Sequence, residues 1–144
     1  TGESKLLRAD LLHDAGNSIN PAIDKGQIEG AFIQGLGWLT TEELWWNADG
    51  RLMTHAPSTY KIPAVNDCPS DFRTTLFENQ NREDTIFRSK AVGEPPLLLA
   101  FSAFFAIRDA IASVGGYRTN PPLNAPATPE AILAAVDATR GAVR

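Results

Sequence analysis

The chain has 144 residues and a formal net charge of −4 at pH 7. Its length suits one ordinary domain, and its 43% hydrophobic and 21% charged residues are typical of globular rather than disordered or fibrous proteins. The mild acidity and the lack of a Lys/Arg cluster argue against a nucleic-acid partner. The main apolar run, Leu97 to Ile107, is shorter than the ~20 residues of a membrane-spanning helix, so we expect no membrane partner either.

Cysteine and histidine usage limits the metal and redox chemistry. The single Cys68 has no intrachain disulfide partner. It also cannot by itself form a zinc or iron–sulfur site, because such sites usually need several Cys or His ligands. His13 and His55 have no partner at a recognised metal-ligand spacing, which favours solvated or hydrogen-bonded roles. We therefore expect a cytoplasmic protein that holds no metal on its side chains.

The first elements in chain order are a strand and a long helix. Residues Lys5–His13 predict a strand or a short extended piece. A helix is expected from an Asp24 N-cap to about Leu39, with Gln27 completing a capping box. A helical period of 3.6 residues places four apolar residues on one buried stripe. These are Ile28, Phe32, Leu36 and Leu39.

Glycines oppose this helix. Each one in a helix interior costs ~1 kcal/mol relative to Ala. There are four: Gly26, Gly30, Gly35 and Gly37. Such a pattern indicates that another backbone or a ligand approaches the helix closely. Gln27 and Gln34 have two interpretations, either ordinary capping and solvated residues or amides that hydrogen-bond a heterocycle such as a pterin.

The rest of the chain predicts mixed elements. Residues Thr41–Thr54 read as a β-hairpin around a Gly-containing turn, and Asp71–Glu78 as another strand. Leu97–Val114 predicts a largely buried helix entered through two prolines, and a last helix is expected to begin after a Thr128 N-cap. The fold class we expect is α+β, with mixed strands and about three helices.

Glu94 is the first candidate for chemistry. It lies at the start of the apolar helix, directly after Gly93 and before Pro95 and Pro96. A carboxylate there either caps the helix or acts as a base. The pattern alone leaves both interpretations open.

Three runs of sequence carry a family resemblance: Asp14–Gly37, Pro57–Pro63 and Ser89–Pro96. In this order and at these spacings they resemble the carboxy-terminal part of the molybdenum-binding subunit of xanthine dehydrogenase, in the molybdenum hydroxylase family. The resemblance covers roughly Lys5 to Glu130. It implies that residues 1–144 are the carboxy-terminal portion of a molybdopterin-binding domain, either a single domain or a fragment of one.

The resemblance also implies site residues. Glu94 matches the family's general base, which deprotonates the molybdenum-bound hydroxyl. Gln27 matches a glutamine that hydrogen-bonds the molybdopterin cofactor, while Val92 and Gly93 match backbone that lines its pocket. In this family the pterin dithiolene holds the metal, so no protein side chain need be a metal ligand.

By the same resemblance, the complete enzyme is an oxidoreductase of purine catabolism that oxidises xanthine- or hypoxanthine-type N-heterocycles. Its iron–sulfur clusters and FAD are bound outside this segment, and its partners include the remainder of the molybdenum-binding subunit. We expect the chain to be inactive alone. The alternatives are an aldehyde oxidase-type hydroxylase, or a non-catalytic assembly fragment in which Glu94 only caps a helix.

Overall fold

The computed structural model describes residues 1–142, and within them the protein has helices and a small sheet. The helices are α1 (Pro21–Thr40), α2 (Phe101–Val114) and α3 (Pro129–Gly141), and the strands are β1 (Arg8–His13) and β2 (Asp71–Leu76). A 3-10 segment, Pro95–Ala100, leads directly into α2. This arrangement confirms the predicted α+β class.

The two strands form a parallel sheet. Arg8 pairs with Asp71 at one end and His13 with Leu76 at the other. Parallel neighbours need a long crossover connection, and α1 lies in it. Along β1, Ala9 and Leu11 are buried against the core while their neighbours are exposed, as the period of two requires.

Helix α1 begins earlier than predicted, so the Asp24 cap with a Gln27 capping box is wrong. Asn20 is extended and its side chain accepts a hydrogen bond from the Ile23 N–H at 3.3 Å. Pro21 then opens the helix with a backbone already suited to it. Asp24 lies in the first turn and accepts the Ser18 hydroxyl at 2.6 Å.

The predicted apolar stripe of α1 is confirmed, since Ile28, Phe32, Leu36 and Leu39 are all buried. Around it α1 contacts the 3-10 segment, α2 and β2, while α3 packs on α2. The ring centroid of Phe32 lies 5.5 Å from that of Phe72 on β2. Helix α1 is therefore the centre of the core.

Two expectations for the segment after Glu94 are corrected. Its first turn is a 3-10 segment rather than α-helix, at the place where two prolines remove backbone donors. Burial is also lower than predicted; among the elements of residues 1–142, the main contacts to α2 come from α1, α3 and the 3-10 segment. Leu98 is 62% exposed and Phe105 54% exposed. The apolar circumference of this helix thus exceeds the cover that residues 1–142 provide.

This helical segment is also longer than the apolar run from Leu97 to Ile107 indicated. Pro95–Val114 spans 20 residues with a mean hydropathy of 1.8, which by length and composition alone would allow it to cross a membrane. A core helix of a soluble protein passes the same test, so one such helix is weak evidence for a membrane-spanning segment.

The remaining predictions for local structure hold in part. Residues 41–54 form a hairpin with only one antiparallel bridge, between Trp46 and Leu52, around the turn at Asn47–Gly50. The last helix begins as predicted, and the Thr128 side chain accepts the Ala131 N–H at 3.3 Å.

Candidate functional site

The three motif runs, far apart in sequence, meet around α1. Residue 90 of the third run pairs with the first run, since the Lys90 N–H donates to the Ala15 carbonyl at 2.9 Å. Farther along, the 3-10 segment lies against α1 at Gly35, and Pro63 of the second run contacts the site of Gly37. All three runs are thus joined through contacts at α1 or at the loop that precedes it.

The glycines of α1 divide into two kinds. A Cβ on Gly35 would lie 2.6 Å from the Leu97 carbonyl oxygen and 2.7 Å from the Ala100 Cβ, so only glycine admits this approach. The predicted close approach of another backbone is confirmed at Gly35, whereas the atoms nearest to Gly37 belong to the side chains of Glu42 and Pro63. Gly26 and Gly30, by contrast, are exposed and have nothing within 4 Å of the position that a Cβ would take. Their backbone remains accessible from outside the described chain.

Glu94 lies at the N-terminus of the 3-10 segment. Its carbonyl accepts the Leu97 N–H at 3.0 Å, but its side chain makes no capping hydrogen bond. The side chain is exposed. Within residues 1–142, a capping role therefore does not account for the carboxylate.

The other predicted site residues are also at the surface. Val92 is half-buried, and Gly93 is exposed with open space where a Cβ would be. Gln27 and Gln34 are seven residues apart on the same face of α1, and both are exposed. All four predicted site residues, Gln27, Val92, Gly93 and Glu94, thus retain some exposure in the described chain.

A groove of the described chain lies elsewhere. Its volume is about 910 Å³, and it runs between the amino-terminal residues, the end of α1, α2 and α3. Leu36, Thr40, Ile107 and Ile132 are among its walls, whereas Gln27 and Glu94 are not. The structure therefore brings the motif runs together without enclosing the predicted site residues in this groove. A small-molecule site is normally concave, so another stretch of protein would have to supply the facing wall.

The sequence did not predict an ion pair between Asp14 and Lys90, which lies four residues before Glu94. Asp14 stabilises a turn, because its side chain accepts the Gly16 N–H at 2.9 Å. Its other oxygen, Oδ2, lies 2.5 Å from Lys90 Nζ. The Lys90 ammonium, followed by the Gly16 N–H, lowers the pKa of Asp14. The sequence signal that could have indicated this pair is the presence of opposite charges, Asp14 and Lys90, in two of the three motif runs.

The exposed Gln27 side chain is able to hydrogen-bond an organic cofactor. Gln27 offers an amide that both donates and accepts, and it makes no side-chain hydrogen bond within residues 1–142. Open backbone flanks it at Gly26 and Gly30, and Gly93 is equally open. Among residues 1–142 no three His, Cys, Asp or Glu side chains are grouped to hold a metal ion. The Gln27 amide and the open space beside it fit a hydrogen-bonding organic group.

Comparisons with known proteins point to a cofactor-binding domain. Residues 1–69 match the family model described as the molybdopterin cofactor-binding domain. The chain is 53% identical over 140 residues to "Xanthine dehydrogenase/oxidase" of Felis catus, an alignment covering 92% of this chain and 10% of that protein. The chain thus spans about a tenth of the length of the curated relatives it matches.

Solved structures share the fold. Quinoline 2-oxidoreductase from Pseudomonas putida 86 superposes with a TM-score of 0.75 at 30% identity, covering 90% of this chain and 16% of that one. The Cu,Mo-CO dehydrogenase superposes with a TM-score of 0.82 over 96% of this chain and 17% of that one. Its 22% identity makes this a likeness of fold alone.

Fold and sequence together show that the chain belongs to the molybdopterin-binding part of the molybdenum hydroxylase family. Within that family it is similar to the xanthine dehydrogenases over nearly all its length, at 47–53% identity to those of mammals and plants. The resemblance predicted from the three motif runs is confirmed.

Proposed function

We propose that this chain forms one wall of the molybdopterin pocket in a xanthine dehydrogenase-like oxidoreductase, with Glu94 as the general base. The observation that carries the proposal is the Glu94 side chain. It is exposed and makes no capping bond although it begins a helical segment, and it follows the open backbone of Gly93. The proposed substrate class is an N-heterocycle of the xanthine or hypoxanthine type.

The overall reaction replaces a C–H bond of an electron-poor ring carbon by a C–O bond. Water supplies the oxygen, and two electrons and two protons leave. When bound, the molybdenum cofactor supplies the oxygen-transfer and redox chemistry. Iron–sulfur and FAD groups in the rest of the enzyme are the proposed route for the electrons, and the cytoplasm is the proposed location.

The residues of this chain bind, orient and take up a proton. Glu94 accepts a proton on its carboxylate, and general-base catalysis of this kind contributes ~10²–10⁴-fold. Gln27 offers its amide N–H and C=O to the pterin, and Val92 and Gly93 present backbone to the same group. The facing wall, supplied by the rest of the subunit, would exclude water and strengthen these interactions.

The base assignment is tested with Glu94→Gln in the full-length enzyme that contains this chain. We expect reduction of molybdenum by substrate to slow ~10²–10⁴-fold, with unchanged molybdenum and molybdopterin content. Glu130→Gln is the matched control, because Glu130 is an exposed glutamate in the first turn of α3. Turnover of Glu94→Gln at the control's rate would contradict the assignment.

The role of Gln27 is tested by cofactor content rather than by rate. Gln27→Ala should lower the molybdopterin bound per subunit, whereas Gln34→Ala, on the same face of α1 two turns later, should retain it. Equal content in the two variants would remove Gln27 from the cofactor wall.

Substrate class is decided by comparing kcat/KM for xanthine with that for an aromatic aldehyde. A preference for xanthine supports the proposal, and a preference for the aldehyde would replace it with an aldehyde oxidase-type activity.

A further inference from the structure

The loop before Glu94 is tied to the loop that joins β1 to α1. The Lys90 N–H donates to the Ala15 carbonyl at 2.9 Å, and the Asn17 N–H donates to the Arg88 carbonyl at 3.0 Å. Between them Gly16 and Ser89 form an antiparallel bridge. The backbone at residues 88–90 is therefore attached to the start of the motif run that contains Gln27.

Side chains reinforce this attachment. Lys90 Nζ pairs with Asp14 Oδ2 at 2.5 Å, and the Asn79 amide also reaches that oxygen, at 3.4 Å. His13 Nε2 lies 3.3 Å from the carbonyl oxygen of Ala91. The contacts between the two loops therefore reach Ala91, which is three residues before Glu94. The pair is partly shielded, since the Lys90 and Asp14 side chains are 37% and 31% exposed.

Glu94 is anchored on its other side as well. Pro96 is buried, and the Leu97 carbonyl packs against Gly35 of α1. Val92, Gly93 and Glu94 are thus a short stretch between two attachments, one at the β1–α1 loop and one on α1. With an exposed glycine in the middle, the position of Glu94 depends on both attachments.

We propose that Asp14 and Lys90 are positioning residues whose ion pair fixes the Glu94 carboxylate in place for proton transfer; this rests on the proposed role of Glu94 as base. A general base must lie within hydrogen-bond reach of the proton it takes. A displacement of ~1 Å at a reacting group lowers a rate by ~10²-fold. Exposed ion pairs contribute little to global stability, so loss of this one should act mainly on the position of the loop.

The test uses Lys90→Met and Asp14→Asn in the full-length enzyme that contains this chain. Asp14→Asn removes the charge yet keeps an oxygen that accepts the Gly16 N–H. If Lys90→Met folds poorly, Asp14→Asn therefore still tests the loss of the ion pair. Arg73→Met is the matched control, because Arg73 forms an exposed ion pair with Asp71 at 2.7 Å on β2. Lys90→Arg tests rescue of the pair by another cation.

Two measurements are needed. Hydrogen exchange of the peptide covering residues 88–94 should quicken in Lys90→Met and Asp14→Asn while that of α1 stays unchanged. At saturating substrate the rate of molybdenum reduction should fall ~10- to 100-fold with KM and molybdopterin content unchanged, and Lys90→Arg should restore most of it.

Wild-type exchange and rate in both variants would overturn the proposal. An equal loss in Arg73→Met would also overturn it, because the effect would then be general destabilisation. Loss of molybdopterin in both variants would assign the pair to cofactor binding instead. If Glu94→Gln is inactive while the two variants are fully active, only the positioning role fails; if Glu94→Gln is fully active, the proposed base fails first.

Discussion

Replacement of Gly35 by alanine tests how α1 holds the segment that carries Glu94. The new Cβ would lie 2.6 Å from the backbone oxygen of Leu97 and 2.7 Å from the Ala100 Cβ. Neither neighbour is the free end of a flexible side chain. The 3-10 segment must therefore move away from α1, and Glu94 at its start moves with it.

The magnitude follows from two opposing effects. Gly→Ala in a helix interior stabilises by ~1 kcal/mol. Insertion of a methyl group into a packed contact costs ~1–3 kcal/mol. Gly35→Ala should thus range from neutral to ~2 kcal/mol less stable than wild type, while Gly30→Ala, with nothing within 4 Å, should gain ~1 kcal/mol.

Thermal unfolding of the chain, followed by circular dichroism, measures the difference. One kcal/mol corresponds to ~2–4 °C in Tm for a chain near this length. We expect Gly30→Ala to melt a few degrees above wild type and Gly35→Ala at or below it. If the two variants melt together above wild type, the close approach at Gly35 does not exist and the reasoning is refuted.

Three further predictions use the same chain. Phe32→Ala should destabilise it by ~3–5 kcal/mol, measured by denaturant unfolding, because Phe32 is 1% exposed at the centre of the core. Thr128→Ala should cost ~0.5–2 kcal/mol by the same assay, since the cap to Ala131 is lost; no change would mean that the cap is not formed. Lys90 lowers the pKa of Asp14, so the stabilisation by Asp14 should be present above the unfolded-state pKa of ~3.9 and vanish as the pH falls through the lower folded-state value. The difference in unfolding free energy between wild type and Asp14→Asn should therefore be small at neutral pH, because the pair is partly exposed, and should shrink further on acidification; a difference that grows as the pH falls would contradict the ion pair.

Local patterns predicted much of the fold. The helical period of Ile28, Phe32 and Leu36 located the buried face of α1, and Thr128 with Pro129 located the start of α3. These signals succeed because a cap or a helical stripe involves residues within a few positions of one another. The start of α1 was misplaced because Asn20 and Asp24 are both capable caps, and Pro21 favours the earlier one.

Burial was less predictable. The apolar circumference of the segment after Glu94 indicated a covered helix, yet Leu98 and Phe105 are largely exposed. Apolarity shows that a surface favours burial, but burial also requires neighbouring elements to cover it. Within residues 1–142 the main helical cover comes from α1 and α3, and the chain spans about a tenth of the length of its relatives.

The sequence by itself determined the fold class, the buried face of α1 and the family, because these depend on composition, short-range period and long runs of matching residues. Tertiary structure decided which glycines of α1 are packed and which are open, and it joined Asp14 to Lys90 across 76 positions. Such contacts depend on the path of the chain between the partners. A short sequence pattern does not specify the path of the chain between distant residues. The surroundings of Glu94 are therefore known only from the tertiary structure, in which the motif runs meet around α1.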